Sequence, residues 1–214
     1  MLLLNASGCL DALTAPDIAS SFDAFVTKTV TPEPRRGNTP VRIAETEFGM
    51  LNQYVHLWAY PDLNERERLR GELAKNEEWT RGYVPQIRPL LLAQENKILS
   101  AVTPFKPPAD SGNIYELRWY RAQVGKLGEW LNLAKGVLPS REKYSRNVCY
   151  WQTEAGQLNE AVHLWVYKDL NERAAARTKA LGDPDWQAFL AKALPLLVTM
   201  QAAVLVPTSV SPMK

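Results

Sequence analysis

HLWAYPDLNER at His56–Arg66 returns as HLWVYKDLNER at His163–Arg173. Held at the same offset, Glu47, Gly49, Leu51 and Asn52 align with Glu154, Gly156, Leu158 and Asn159, Trp79 aligns with Trp186, and Gln94 with Gln201. Rare residues such as Trp and His that keep register over so long an interval mark an internal duplication. The fold question becomes what one unit of about 100 residues looks like.

The second copy is complete. NIYELRWYR at Asn113–Arg121 is rich in β-branched and aromatic residues and reads as a strand. Leu127, Trp130, Leu131, Ala134 and Leu138 recur at helical spacing, with Lys126, Glu129 and Lys135 between them, so Gly125–Leu138 is an amphipathic helix that Pro139 is expected to end. Asn147–Thr153 and Ala161–Tyr167 read as two antiparallel strands, joined by a hairpin through Gly156 and Asn159. Asp169 with Glu172 three residues on makes a capping-box-like start to a second helix, and Asp62 with Glu65 repeats it. Asp183-Pro184-Asp185 restarts helix with Pro in the first turn, where its missing N–H costs nothing. Val198–Val206 is the last strand.

The order β-α-β-β-α-β is that of the ferredoxin-like module, in which the first and third strands lie side by side in an antiparallel sheet. In the first copy the matching strands are Val41–Glu47, Tyr54–Tyr60 and Glu95–Val102, and Thr14-Ala15-Pro16-Asp17 before Ile18, Phe22 and Phe25 signals a helix. The first copy's opening strand is expected, in weak form, within Cys9–Thr14. Residues 1–103 therefore form one module with a degenerate first strand, 104–112 a Pro-rich linker, and 113–214 a second, complete module. A four-stranded sheet with helices on one face needs cover on the other. A tethered second copy supplies it, so the fold class expected is α+β, two tandem ferredoxin-like modules closing a pseudo-two-fold α/β barrel within one chain.

Lys+Arg 25 against Asp+Glu 23 leaves the charge nearly balanced, and no basic block is present to neutralise a phosphate backbone. Nucleic acid is not an expected partner. Cys9 and Cys149 do not correspond in the repeat and give neither a disulfide framework nor a CxxC spacing, which suits a reducing, cytoplasmic compartment. Ala6-Ser7-Gly8-Cys9 has the look of a lipoprotein signal end. Leu2-Leu3-Leu4 before it is far short of an apolar signal core, and no run is long enough to span a bilayer. No membrane association is expected.

YELRWY followed by GKLGEWL, then E-x-G-x-L-N, HLWVY-x-DLNER and DPDWQAFL, resembles the NIPSNAP family, a branch of the dimeric α/β-barrel superfamily. The resemblance covers Ile114–Pro207 and, nearly as well, Val41–Phe105. YELR has no recognisable equivalent in the first copy, and DIASSFDAF stands in place of the GKLGEWL helix. The resemblance implies a two-module barrel. It does not imply one reaction, since the superfamily holds oxygenases, isomerases, haem proteins and adaptors.

Strand alternation sets Val162, Leu164 and Val166 on one face and His163, Trp165 and Tyr167 on the other, and the aliphatic set is expected to take the helices. On the neighbouring strand Glu116, Arg118 and Tyr120 then join the His163 face, looking into the barrel, and His56, Trp58 and Tyr60 add a wall from the first copy. In the functional reading His163 is a general base, Arg118 orients a carboxylate or enolate oxygen, Glu116 is the acid of the group, Tyr120 or Tyr167 donates a hydrogen bond, and Trp165 stacks. The site would lie towards the second copy. In the structural reading Glu116 and Arg118 simply pair and the aromatic residues fill space. Arg173 and Arg66 are read as serving the helix starts, and Cys149 as a buried thiol. Two histidines and no HxxxH, HExxH or Cys/His cluster leave no metal site, and no cofactor is expected. The function expected is binding or transforming a small organic molecule in the barrel interior. The alternative is a non-catalytic interaction or scaffold protein, and homo-oligomers of whole barrels stay open.

Overall fold

The computed structural model describes residues 2–9, 39–49, 53–209 and 211–213, with side chains from residue 47 onward. The chain forms two compact units: unit 1 is Met1–Thr46 with Met50–Lys97 and Pro207–Lys214, and unit 2 is Glu47–Gly49 with Ile98–Val206.

In unit 1, β1 (Leu2–Cys9), β2 (Thr39–Phe48) and β3 (Gln53–Ala59) form an antiparallel array with β3 in the middle. The opening strand thus lies earlier than Cys9–Thr14. Leu2 pairs with Ala59 and Gly8 with Gln53, so the short leucine run and Ala6-Ser7-Gly8-Cys9 after it form one strand. The helix signalled by Thr14–Asp17 falls outside the described residues. Helix α1 (Leu63–Leu73) opens on Asp62, whose carboxylate accepts from the Glu65 N–H at 2.8 Å and so satisfies a helix-end donor. Beyond it Tyr54 and Ile87 pack with Tyr83, Leu90 and Leu91, and the chain enters β4 (Leu91–Ala101).

Unit 2 follows the ferredoxin-like order: β5 (Ile114–Ala122), α2 (Leu127–Glu142), β6 (Arg146–Ala155), β7 (Glu160–Tyr167), α3 (Leu170–Leu181), α4 (Pro184–Ala193) and β8 (Leu197–Pro207). Strand β5 lies between β7 and β8, and β7 between β5 and β6, all antiparallel. The last residues of β4, Ile98–Ala101, add an edge to β6. The α+β class with tandem ferredoxin-like modules stands.

Local chemistry sets the joints. Asn159 (φ 57°) and Gly156 (φ 108°) supply the left-handed residues of the β6–β7 hairpin, which Asn and Gly adopt at least cost. Asp169 accepts from the Glu172 N–H at 2.8 Å, and the Glu172 carboxylate reaches back to accept from the Lys168 N–H, one residue before the cap, a variant of the capping box. Asp183 accepts from the N–H groups of Asp185 and Trp186, with Pro184 in the first turn of α4.

Pro139 does not end α2. The helix runs through it to Glu142, because the turn beyond is anchored: Leu138 and Arg141 are buried, and the Arg141 guanidinium donates to Ser145 Oγ at 2.6 Å. A helix interrupted by a proline loses one backbone bond, and tertiary packing here outweighs that loss.

The core of unit 2 lies between the helices and one sheet face. Trp130, Leu131, Ala134 and Leu138 of α2 pack with Tyr150, Ala161, Trp165, Tyr167, Ala176, Phe189 and Ala193.

Candidate functional site

The register of β5 on β7 sets Glu116 opposite Trp165, Arg118 opposite His163 and Tyr120 opposite Ala161. Residues directly opposite in an antiparallel pair share a face. Glu116, Arg118, Tyr120, His163, Trp165 and Tyr167 are therefore brought together, but on the helix side. The Trp130 ring of α2 lies 6.0 Å from His163 and 5.8 Å from Tyr120, and the Arg141 guanidinium sits 5.0 Å over Trp165. Val162, Leu164 and Val166 take the other face, which reverses the expected orientation. The reason is that β7 is buried along its whole length, on both faces. Polarity alternation reports a face only when one side is wet.

The chemistry centres on Glu116, 1% exposed. Its Oε1 lies 2.5 Å from Arg173 Nη2 and 3.1 Å from Arg118 Nε, while Oε2 has no hydrogen-bond partner. Arg177, one turn beyond Arg173 on α3, adds its field to the same carboxylate. Burial alone would raise the Glu116 pKa. The Arg173 hydrogen bond and the charges of Arg118, Arg173 and Arg177 outweigh it and hold the carboxyl below its ordinary range. Arg141, 4% exposed, lies between Trp165 and Trp186, at 5.0 and 5.2 Å from their rings. Burial lowers its pKa, and the charge of Arg118 adds to that. Arg177 is lowered likewise, by burial first and then by Arg118. Three guanidinium groups, of Arg118, Arg173 and Arg177, thus act on the buried Glu116 carboxylate, and Arg141 bears on Arg118 beside them.

His163 is 2% exposed and stacks on Tyr150, ring centres 4.6 Å apart and planes 6° from parallel. Trp165 Nε1 lies 2.7 Å from His163 Nδ1. An indole N–H only donates, so Nδ1 is the acceptor and the imidazole proton sits on Nε2, an atom that is buried and unpartnered. Burial, with Arg118 and Arg141 nearby, drives the His163 pKa well below its ordinary value. A general base needs an open lone pair and affinity for a proton. In this arrangement His163 offers neither: its Nδ1 lone pair is taken by the Trp165 N–H, and its Nε2 proton is buried without an acceptor. Tyr120, edge-on to His163 at 4.8 Å, is kept protonated by burial.

Arg173, Arg177 and Arg141 were not among the residues expected in the site, and Arg173 does more than serve its helix start. The signal for two of them was in the sequence: Arg173 and Arg177 stand four apart on one helix face, and Arg66 and Arg70 repeat the spacing in the first copy. Nothing in the sequence placed Arg141.

In unit 1 the repeat keeps the tyrosine beside the helix arginines. Buried Tyr60 lies in the field of Arg70 and Arg66 of α1, as Tyr120 and Tyr167 lie near the arginines of unit 2, so Tyr60 stands with its own helix. His56 is pushed down to about 4 by burial. Cys149 is a buried free thiol whose pKa burial raises, as a structural role requires. Among the described residues no group of three or more His, Cys, Asp or Glu could hold a metal, and no helix is long and apolar enough to cross a membrane. A recess of about 360 Å³ beside Phe48, Leu170 and Val206 contains none of the candidate residues.

Comparison with known proteins places the chain in a lineage. The chain is 31% identical over 175 residues to NipSnap homolog 2 of Danio rerio, which covers 79% of this chain and 60% of that protein. It is 32% identical to human NipSnap homolog 3A over 78% of this chain and 70% of that protein. The chain thus spans about 60% of the length of the zebrafish relative. Its fold is that of the crystal structure of a monooxygenase-like protein from Fusobacterium nucleatum, with a TM-score of 0.70 over 97% of this chain and 92% of that one at 12% identity. An anthrone oxidase-like protein gives 0.62 over 99% and 93% at 9% identity. The NIPSNAP family profile matches twice, over residues 14–106 and 115–212, and on those two matches the chain belongs to the NIPSNAP family.

Proposed function

We propose that the chain binds a small organic molecule bearing a carboxylate or enolate oxygen, at the Glu116–Arg118–Arg173–Arg177 cluster of unit 2. The observation that carries this reading is the charge imbalance: three guanidinium groups, from β5 and α3, act around one buried carboxylate. Partly buried cations without matching anions are costly to keep, and an anionic ligand relieves that cost. Planar guanidinium groups suit a planar carboxylate, with two parallel N–H donors for two oxygens. Tyr120, held protonated, is available as a further donor.

The same geometry limits the chemistry. Glu116 is held ionised below the usual carboxylate range and is a weak base, and His163 presents an N–H rather than a lone pair. The site therefore supports binding and electrostatic stabilisation of an oxyanion, and proton abstraction by either residue is not part of the reading. The location also changes: the ligand meets the sheet face that carries the helices, not the aliphatic face opposite.

The experiment is a calorimetric screen of small mono- and dicarboxylates at constant ionic strength, repeated with Arg118→Gln and Arg177→Gln. Saturable binding that weakens about tenfold or more in either variant supports the reading. Binding that both variants leave unchanged, or no binding by the intact chain, rejects it and returns the search to partner-binding surfaces.

A further inference from the structure

In the unit 2 cluster the cations reach solvent and the acid does not. The side chains of Arg118 and Arg173 keep 14% and 26% exposure, Arg177 is half-buried, and Glu116 keeps 1%. Both close contacts to the acid fall on one oxygen: Arg173 Nη2 lies 2.5 Å and Arg118 Nε 3.1 Å from Glu116 Oε1. Arg177 acts on the carboxylate through its charge alone, and so does the nearby Tyr120 phenol. The second oxygen, Oε2, is buried without a hydrogen-bond partner.

An ionised carboxylate only accepts, and it has about four lone-pair positions to fill. A bare, buried oxygen of an ionised group is costly, so Oε2 calls for a donor. A plain carboxylate ligand does not supply one, and it sets a second negative charge beside the first. A ligand that also carries a hydroxyl meets both demands: its carboxylate takes the guanidinium groups and its O–H donates to Oε2. Arg118 already touches the same carboxyl group through Oε1, so that hydroxyl has to lie next to the ligand's own carboxylate.

We infer that the ligand of unit 2 is an α-hydroxy acid and that Glu116 selects it, the hydroxyl donating to Glu116 Oε2 while the carboxylate lies on Arg118 and Arg177. This rests on the carboxylate reading of the cluster and narrows it. Glu116 repels every anion alike, and the repulsion is offset only for one that brings a donor. Discrimination by a polar group that the wrong ligand leaves unpaired is stronger than discrimination by size.

The test is calorimetry on the full chain with lactate, propanoate and α-fluoropropanoate at neutral pH and constant ionic strength. Fluorine is close to hydroxyl in size and cannot donate. Lactate should bind roughly ten- to a hundredfold more tightly than either of the other two, the range for a hydrogen bond to a charged group. In Glu116→Gln that preference should fall severalfold while propanoate binds more tightly than to the intact chain, because the repelling charge is gone. A purely structural role for Glu116 would weaken both acids together and overturns the inference. Where Glu116→Gln fails to fold, the intact chain decides: lactate no tighter than α-fluoropropanoate overturns the hydroxyl contact. Equal binding of lactate and propanoate, both weakened by Arg118→Gln, leaves the carboxylate site standing and sinks the inference alone. A lactate preference that Glu116→Gln leaves whole assigns the hydroxyl to another acceptor and also overturns it. A chain that binds no carboxylate at all overturns the site reading, and the inference with it.

Discussion

Glu116 and His163 show how burial changes what a side chain does. A carboxylate with 1% exposure is tolerable only while its charge is met, and Arg173 and Arg118 meet it. Glu116→Gln should destabilise the chain by about 2–3 kcal/mol, somewhat below the cost of breaking a fully buried pair, because the two arginines keep some water. Denaturant titration of both proteins measures it. The sign with pH follows from the lowered pKa: the contribution of Glu116 is present above the unfolded carboxyl value and is lost as pH falls through the folded one. The gap between the two proteins should therefore close in acid. Trp165→Phe keeps most of the aromatic volume but removes the N–H that fixes His163. A loss of roughly 1–2 kcal/mol is expected, as for a buried hydrogen bond, with a change in the tautomer-sensitive nitrogen shifts of the His163 ring. Unchanged nitrogen shifts would show that Trp165 does not set the proton position.

At the scale of the element, helix α3 combines a local signal with a long-range duty. Asp169 caps it, and the fourth and eighth helical residues, Arg173 and Arg177, reach the sheet. Asp169→Ala should cost about 1 kcal/mol as a lost cap. It should also weaken anion binding in unit 2, since fraying the first turn loosens Arg173. A stability loss with ligand affinity unchanged would separate the cap from the site. Helix α2 works by bulk: Trp130, 2% exposed, meets Tyr120, Tyr150, His163 and Phe189. Trp130→Ala should cost about 3–5 kcal/mol, the range for deleting a buried aromatic ring.

For the molecule as a whole, unit 2 is not one run of sequence. Ile98–Ala101 pair with β6, the Val102 N–H donates to Tyr150 O at 2.8 Å, and the Lys106 N–H donates to Val148 O at 2.8 Å. A fragment beginning at Ile114 leaves that edge of β6 unpaired and should self-associate, whereas one beginning at Ile98 should do so less. Sizing of both fragments by light scattering checks this, and equal behaviour would deny β4 its part in the unit. Stability of the full chain should also fall on mild acidification. Unfolded imidazole takes a proton near 6.5, while folded His56 resists until about 4 and His163 is depressed too. Between those values the unfolded state binds more protons, so the loss begins as pH drops below about 6.5. His56→Gln should flatten part of that slope.

The sequence by itself determined the duplication, the α+β module order, the capped helix starts at Asp62 and Asp169, the hairpin at Gly156 and Asn159, and which residues of β5 and β7 share a face. These follow from short-range rules: periodicity, capping and the alternation of a strand. Tertiary structure alone decided which face met the helices, because β7 is buried on both sides and its polarity pattern carries no direction. It alone decided that α2 continues past Pro139, where packing of Arg141 overrides a local breaker. It placed the first strand at Leu2–Cys9 through pairing with β3, a partner some fifty residues away. And it alone brought Arg173 and Arg177 to Glu116, set Arg141 against Trp165 and gave the His163 Nδ1 lone pair to the Trp165 N–H, since a charge or a proton is assigned by neighbours in space and not by neighbours in sequence.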